Sequence, residues 1–464
     1  MKYLKFLNYF FLSIFLMTGA VLPLHAEGSE LERPNVVFFL VDDLGYGDLG
    51  YTGSTLAETP HIDSFAAENL VFTDAYSASP HCSPTRASIV TGQYPGRLHI
   101  TVWIGGNKPT EFEGLKLPKE KQYLSSEVFS VAKYFKSLGY TTAQVGKWHL
   151  GGRRVPIQEH GFDRVIGWSP GAGTGPAPTW FGPYSTIADL DGPEDEYITD
   201  RLTDEAINFM KEQQQEPFFL LLQHYVVHDP LTAPDEIVQR YVAKGLPVDK
   251  GEENATFLAK KKTMDNSFGR ILEALDELDL ADNTIVVFFS DNGGVAYFAN
   301  NGPLRKGKKY LYEGGIRVPL IMRVPNLTPK GGTTAVPVNS IDFFPTFVEL
   351  TGGDVSAQPT VFDGISIKPV LAGADQLDRE AIYWHMPQAG RDWTVIPPQG
   401  AVRKGPWKLI HHYGGTKPDE LYNLEDDIGE TRNLARRYPE RVAEMRAMLE
   451  RHIDETGAGR VTEK

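Results

Sequence analysis

The chain has a single cysteine in 464 residues, Cys82. One thiol excludes any disulfide within the chain, so stability must come from a buried core. Positive charge is also scarce: 46 Lys and Arg stand against 60 Asp and Glu, a formal net charge of −14. That balance excludes nucleic acid as a general partner, because phosphate binding needs a basic footprint. It leaves room for a small anion held in a local basic pocket. Beyond the N-terminus no apolar run is long enough to span a bilayer. Internal repeats and low-complexity tracts are absent, which excludes a solenoid or a disordered linker protein.

What is there begins with a leader pattern. Lys2 and Lys5 precede a mostly apolar stretch at residues 6–24, and Leu24-His25-Ala26 offers a small-residue cleavage site. This predicts a signal peptide, residues 1–26, and an exported protein, periplasmic or secreted, with no stable membrane span after cleavage. A lone thiol sent to an oxidising compartment then needs an explanation.

The rest alternates between strand and helix patterns. "NVVFFLV" at residues 35–41 suits a strand buried on both faces of a parallel sheet, and it stops at Asp42, Asp43, Gly45 and Gly47. "NTIVVFFSDNGG" repeats the pattern and stops at Asp291 and Asn292. "TTAQVG" and "PFFLLLQHY" read as further strands. "SSEVFSVAKYFKSLGY", "ITDRLTDEAINFMKEQQQ" and "TFLAKKKTMDNSFGRILEALDEL" read as helices, and "NSIDFFPTFVELTG" as a helix kinked or broken at Pro345. After about Gly373 the pattern changes to short strands and a final helix. The predicted class is α/β: a large, mostly parallel or mixed sheet covered by helices on both faces over residues 27–375. A smaller antiparallel sheet with one helix follows over residues 376–464. Ligands of such sheets bind beyond the carboxyl ends of strands, so Asp42, Asp43, Asp291 and Asn292 are expected to face one site. All four are hard oxygen donors, a set suited to Ca²⁺ or Mg²⁺ rather than zinc. The Gly- and Pro-rich residues 166–193 read as a long rim loop. Trp168, Trp180 and Phe181 there, with Trp103 elsewhere, are candidate stacking surfaces for a sugar.

Cys82 lies in "HCSPTRASIVTG". Pro84 suits the first turn of a helix, which places Cys82 at a helix N-terminus and Arg86 one turn on. A thiol so placed is expected to have a lowered pKa. The alternative is an inert, buried thiol.

Cys-Ser-Pro-Thr-Arg, extended by "TGQYPGR", closely resembles the signature of the formylglycine-dependent sulfatases, which have an alkaline-phosphatase-like fold. The resemblance extends over nearly the whole mature chain: the two Asp-bearing strand ends, "GKWHLG", "VVHDP", "GPLRKGKKYLYEGGIRVP", and the C-terminal "WKLI" and "ELYNLEDD". It implies that a maturation enzyme oxidises Cys82 to formylglycine. It implies one Ca²⁺ held by Asp42, Asp43, Asp291 and Asn292, with the modified Cys82 as a further ligand. It implies that the hydrated aldehyde attacks sulfur and that its second hydroxyl later expels sulfate, a displacement split into two steps. By the same resemblance Arg86 holds the aldehyde hydrate and Lys147 binds the sulfate. His149 takes the proton of the second hydroxyl, His228 contacts the ester oxygen, and Lys308 stabilises the departing alkoxide. His224 reads as structural.

Two departures bear on substrate. Lys306 and Lys309 stand where the family usually has glycine, giving a basic rim suited to a polyanion, or merely a solvated loop. Asp229 follows His228 where a small polar residue is commoner. The expected activity is hydrolysis of sulfate monoesters on carbohydrate, with aryl sulfates as surrogates. The rivals are a phosphonate monoester hydrolase or phosphodiesterase of the same superfamily, and a non-catalytic carbohydrate-binding protein.

Overall fold

The computed structural model describes residues 33–105, 108–169, 180–389 and 396–464. The expected signal peptide lies outside the described residues, as do residues 170–179 of the expected rim loop.

The main sheet is built from β1 (Asn35–Val41), β2 (Leu70–Phe72), β3 (Thr141–Gly146), β4 (Arg164–Ile166), β5 (Phe218–Gln223), β6 (Thr284–Ser290), β7 (Leu320–Arg323) and β8 (Gly332–Thr334). Their spatial order is β8-β2-β7-β6-β1-β5-β3-β4, an 8-stranded sheet. Only β7 runs antiparallel to its neighbours, so the sheet is mixed and mostly parallel. The main helices are α1 (Pro60–Glu68), α2 (Cys82–Thr91), α3 (Val131–Ser137), α4 (Ile198–Glu212), α5 (Ala255–Glu277), α6 (Phe343–Leu350) and α7 (Pro439–Thr456).

The run of apolar residues in β1 follows from burial on both sides. Val36, Phe38 and Leu40 pack with Val90 of α2, Phe135 of α3 and Phe343 of α6. Val37, Phe39 and Val41 pack with Phe65 of α1, Leu202 of α4 and Phe268 of α5. Phe38 meets Phe343 edge-on at 5.0 Å between ring centroids, and Phe39 meets Phe268 at 5.1 Å. Alternation along a strand thus feeds two helical layers from one segment.

The second sheet comprises β9 (Ile382–Met386), β10 (Gln399–Lys404), β11 (Trp407–His412) and β12 (Glu420–Asn423), all antiparallel. One face carries Val402, Leu409 and Leu421 against Met445, Leu449 and Ile453 of α7. The other carries Trp384, Ala401, Ile410 and Tyr422 against Tyr76, Leu311 and Ile316 of the larger unit. The small sheet therefore backs the chain that follows Lys308.

Two helices differ from their expected form. α3 begins only at Val131, because the Ser130 hydroxyl accepts the Lys133 N–H at 3.1 Å and caps the helix there. Pro345 neither breaks nor kinks α6. It sits in the first turn, where its missing N–H has no intrahelical partner to lose.

Candidate active site

Four neighbouring parallel strands, in the order β6-β1-β5-β3, end level with one another. Ser290 lies opposite Val41, Gln223 opposite Leu40, and Gly146 opposite Gln223. Each strand end leads directly into expected site residues: Asp291 and Asn292 after β6, Asp42 and Asp43 after β1, His228 after β5, and Lys147 and His149 after β3. Close packing explains the glycines. A Cβ on Gly146 would lie 2.1 Å from the Gln223 carbonyl oxygen, and one on Gly293 would lie 1.8 Å from that of Gly314. α2 brings Cys82 and Arg86 into the same space, and the loop after β6 brings Lys308.

The structure gathers all of these side chains. Ligand atoms of Asp42, Asp43, Cys82 and His228 lie within 4.8 Å of one another. Cys82 Sγ is 4.0 Å from Asp43 Oδ1, and Asn292 Nδ2 donates to that oxygen at 2.8 Å. The Asp43 N–H donates to Asp291 Oδ1 at 3.2 Å, and Asp43 itself sits at φ 65°, a strained setting for a non-glycine residue. Lys147 Nζ is 2.5 Å from Asp42 Oδ2, and Lys308 Nζ is 2.6 Å from Asp43 Oδ2. Arg86, fully buried, donates to Asp291 at 2.9 Å, to the Lys147 carbonyl at 2.7 Å and to Gln223 Oε1 at 3.2 Å. Its place is therefore among the carboxylates, which it orients.

Burial and charge set the protonation states. Burial raises the Asp42 carboxyl, but Lys147, His228, Arg86 and Lys308 outweigh it and hold the group well below the usual range. Burial and the Asp42 charge push Asp291 up to about 6. The Cys82 thiol is raised by burial, contrary to the lowering expected of a helix N-terminus. Here desolvation outweighs Lys147 and Lys308. The protein groups alone therefore favour the neutral thiol of an unmodified Cys82.

Whether a divalent cation fits can be judged from the donors. Asp42 Oδ1 and Asn292 Oδ1 are buried acceptors without a hydrogen-bond donor. Such orphaned oxygens are costly unless a cation or water satisfies them. Together with Asp43 and Asp291 they form a hard-oxygen set that fits a divalent cation.

The two histidines differ. His149 is 7% exposed, and its Nε2 lies 2.9 Å from the Ile104 carbonyl. That partner makes Nε2 the donor and leaves Nδ1 as an unpartnered acceptor. Burial, then the Lys147 charge, keeps the ring neutral. β3 ends at Gly146, and His149 follows at φ 55°, so neither Lys147 nor His149 continues the strand. His228 Nδ1 contacts the Asp229 carbonyl oxygen at 2.6 Å and Asp229 Oδ1 at 3.0 Å. Nε2 is then left toward the cluster, 3.6 Å from Asp43 Oδ2. Asp229 is therefore a partner of His228, and this hydrogen bond lowers its carboxyl pKa. His224 is structural in its contacts, with Nε2 3.0 Å from Ser267 Oγ.

Some rim expectations fail. Trp180 is 1% exposed and stacks on Tyr197, so it offers no surface to a sugar. Trp168 is half-buried against the core, and Trp103 is half-buried beneath Lys108 Nζ, 2.9 Å from its ring centroid, so these two keep part of their surface open. Lys306 and Lys309 adopt φ 62° and 80°, the left-handed region that favours glycine. Sequence reasoning missed Gln223 and Lys260. Lys260 is buried in α5 and donates to the His228 carbonyl at 2.5 Å. Nothing in its local pattern, a run of three lysines in an amphipathic helix, separates it from Lys262.

The sulfatase family model matches residues 34–353, and the model for the C-terminal region of N-sulphoglucosamine sulphohydrolase matches residues 306–458. A sulfatase of Formosa agariphila is 30% identical, covering 88% of this chain and 85% of its own. The N-acetylgalactosamine-6-sulfatase of Homo sapiens is 32% identical over 76% of this chain and 68% of its own. The crystal structure of Ps i-CgsB in complex with k-i-k-neocarrahexaose superposes with a TM-score of 0.75 at 29% identity, covering 91% of this chain and 93% of that one. The chain belongs to the sulfatase family, the type I sulfatases of the alkaline phosphatase superfamily, and is a sulfuric ester hydrolase.

Proposed function

We propose that the protein is an exported, Ca²⁺-dependent sulfatase that removes sulfate from sulfated carbohydrate, using a formylglycine made from Cys82 by a maturation enzyme. The observation that carries this reading is the charge arrangement around Cys82. Asp42, Asp43 and Asp291 are matched by Arg86, Lys147 and Lys308 in direct ion pairs. Adding a divalent cation to that balanced set leaves a net positive site, suited to a sulfate monoester.

Asp42, Asp43, Asp291 and Asn292 would hold the Ca²⁺, which polarises sulfate oxygens when bound. Formylglycine supplies, as its hydrate, one hydroxyl to attack sulfur and a second whose deprotonation expels sulfate. Arg86 fixes the direction of Asp291 and Asp42. Lys147 and Lys308, each one carboxylate contact away from the cluster, turn to the anion when a cation takes over the carboxylates. His149 Nδ1, an acceptor without a partner, takes a proton. His228 Nε2 gives one to the departing oxygen, while Asp229 holds Nδ1 on the far side of the ring.

Two of the relatives support carbohydrate as the substrate class, one named for an N-acetylgalactosamine-6-sulfate and one solved with an oligosaccharide. The test is to incubate the matured enzyme with defined sulfated oligosaccharides and to follow desulfated products by mass. Loss of sulfate from at least one sugar, with activity suppressed by a calcium chelator, is the expected result. Faster turnover of an aryl phosphonate than of an aryl sulfate would favour the phosphonate hydrolase instead.

A further inference from the structure

Lys260 is a basic side chain with no solvent exposure, and among the described residues it makes no ion pair with a carboxylate. Its Nζ is held by backbone and a ring. It donates to the His228 carbonyl at 2.5 Å and to the Pro230 carbonyl at 3.1 Å, and lies 3.4 Å from the ring centroid of Trp180. Burying an amine without a carboxylate in contact is costly, so a site built this closely around one needs a reason. The two carbonyls bracket Asp229, the residue that hydrogen-bonds His228 Nδ1. Burial pushes the Lys260 pKa down, opposed by Asp229, Asp42 and Asp43, and N–H donors remain in either protonation state.

We infer that Lys260 is a positioning residue for leaving-group departure: by pinning the backbone on both sides of Asp229, it aims His228 Nε2 at the ester oxygen. This rests on the role of His228 proposed above. As the S–O bond breaks, its electron pair goes to the ester oxygen, which takes the proton from His228 Nε2. A small misplacement of that nitrogen costs rate in proportion to how much the leaving oxygen needs the proton.

The test uses the full-length matured enzyme and aryl sulfates of rising leaving-group basicity, from para-nitrophenyl to unsubstituted phenyl sulfate. Lys260→Met should lose about 10- to 100-fold more kcat on phenyl sulfate than on para-nitrophenyl sulfate, with KM little changed. Lys260→Gln keeps an N–H donor and should fall between Met and the wild type. It also serves as the readout if the Met variant does not fold. His228→Asn is the reference and should show the steepest dependence. A steep His228→Asn with equal losses across the series in both Lys260 variants would overturn the inference alone. A flat His228→Asn would overturn the role of His228 on which it rests.

Discussion

Arg86 touches more of the site than any other side chain discussed. Its guanidinium bonds Asp291, lies 3.6 Å from Asp42 Oδ1 and meets the Lys147 carbonyl and Gln223. Four strand ends are joined through one fork of donors, which a lysine could not reproduce. Removing one partner of a buried ionic cluster leaves the others uncompensated. Arg86→Met should therefore destabilise the fold by about 3–5 kcal/mol as well as abolish turnover. Denaturant unfolding checks this: an unchanged midpoint would mean that Arg86 serves chemistry and not structure. Cys82 shows the opposite balance, a small buried group whose thiol is silenced by its surroundings. The sequence indicated which residue matters there but not its protonation, because desolvation depends on neighbours from β1, β6 and distant loops.

At the level of elements, the loop that carries Lys308 is held from behind. Lys408 of β11 lies 2.8 Å from Glu313 and 2.9 Å from Glu430, all buried. Arg305 donates to Tyr422 and to the Glu430 carbonyl, each at 2.9 Å. The small sheet is thus part of the mounting of Lys308. Lys408→Met leaves two buried carboxylates facing each other and should cost about 3–5 kcal/mol, read from the same unfolding experiment, with a matching loss of kcat. Within the loop, Lys306 is exposed at φ 62°. Lys306→Gly should raise stability by up to about 1 kcal/mol by relieving left-handed strain. If the same variant binds a multiply sulfated oligosaccharide more weakly than a monosulfated one, the basic rim contributes to recognition.

The strand ends were legible because apolar runs halted by Asp and Gly repeat a recognisable pattern. So were the two-layer covering and the small C-terminal sheet, whose periodicities are local. Gln223, Lys260, and the Lys408–Glu313–Glu430 cluster were not, since their partners come from remote segments and no spacing announces them. Trp180 was misplaced for the same reason: a loop aromatic can face inward as readily as outward.

Across the whole molecule, pH stability follows from buried imidazoles. Burial pushes His160 and His385 down to about 4, and His224 and His452 to about 3. Each lies below the ordinary value of 6.5, so the unfolded chain takes up protons first as pH falls. The stability that these neutral rings contribute is complete above 6.5 and is lost on the way to their folded values. Glu120 and Glu430, pushed up to about 7 by burial, work the other way, their contribution fading as pH rises through 7. The urea midpoint should peak between about pH 6 and 7 and fall on the acid side. His160→Gln should flatten that acid limb, and an unchanged limb would remove His160 from the account.

The central claim is that Cys82 works only after conversion to an aldehyde. The most direct test is the mass of the Cys82-bearing peptide from enzyme that is turning over an aryl sulfate. The account predicts a peptide in which the thiol has been replaced by an aldehyde or its hydrate, in a fraction that tracks activity between preparations. An active enzyme whose peptide carries only unmodified cysteine would contradict it.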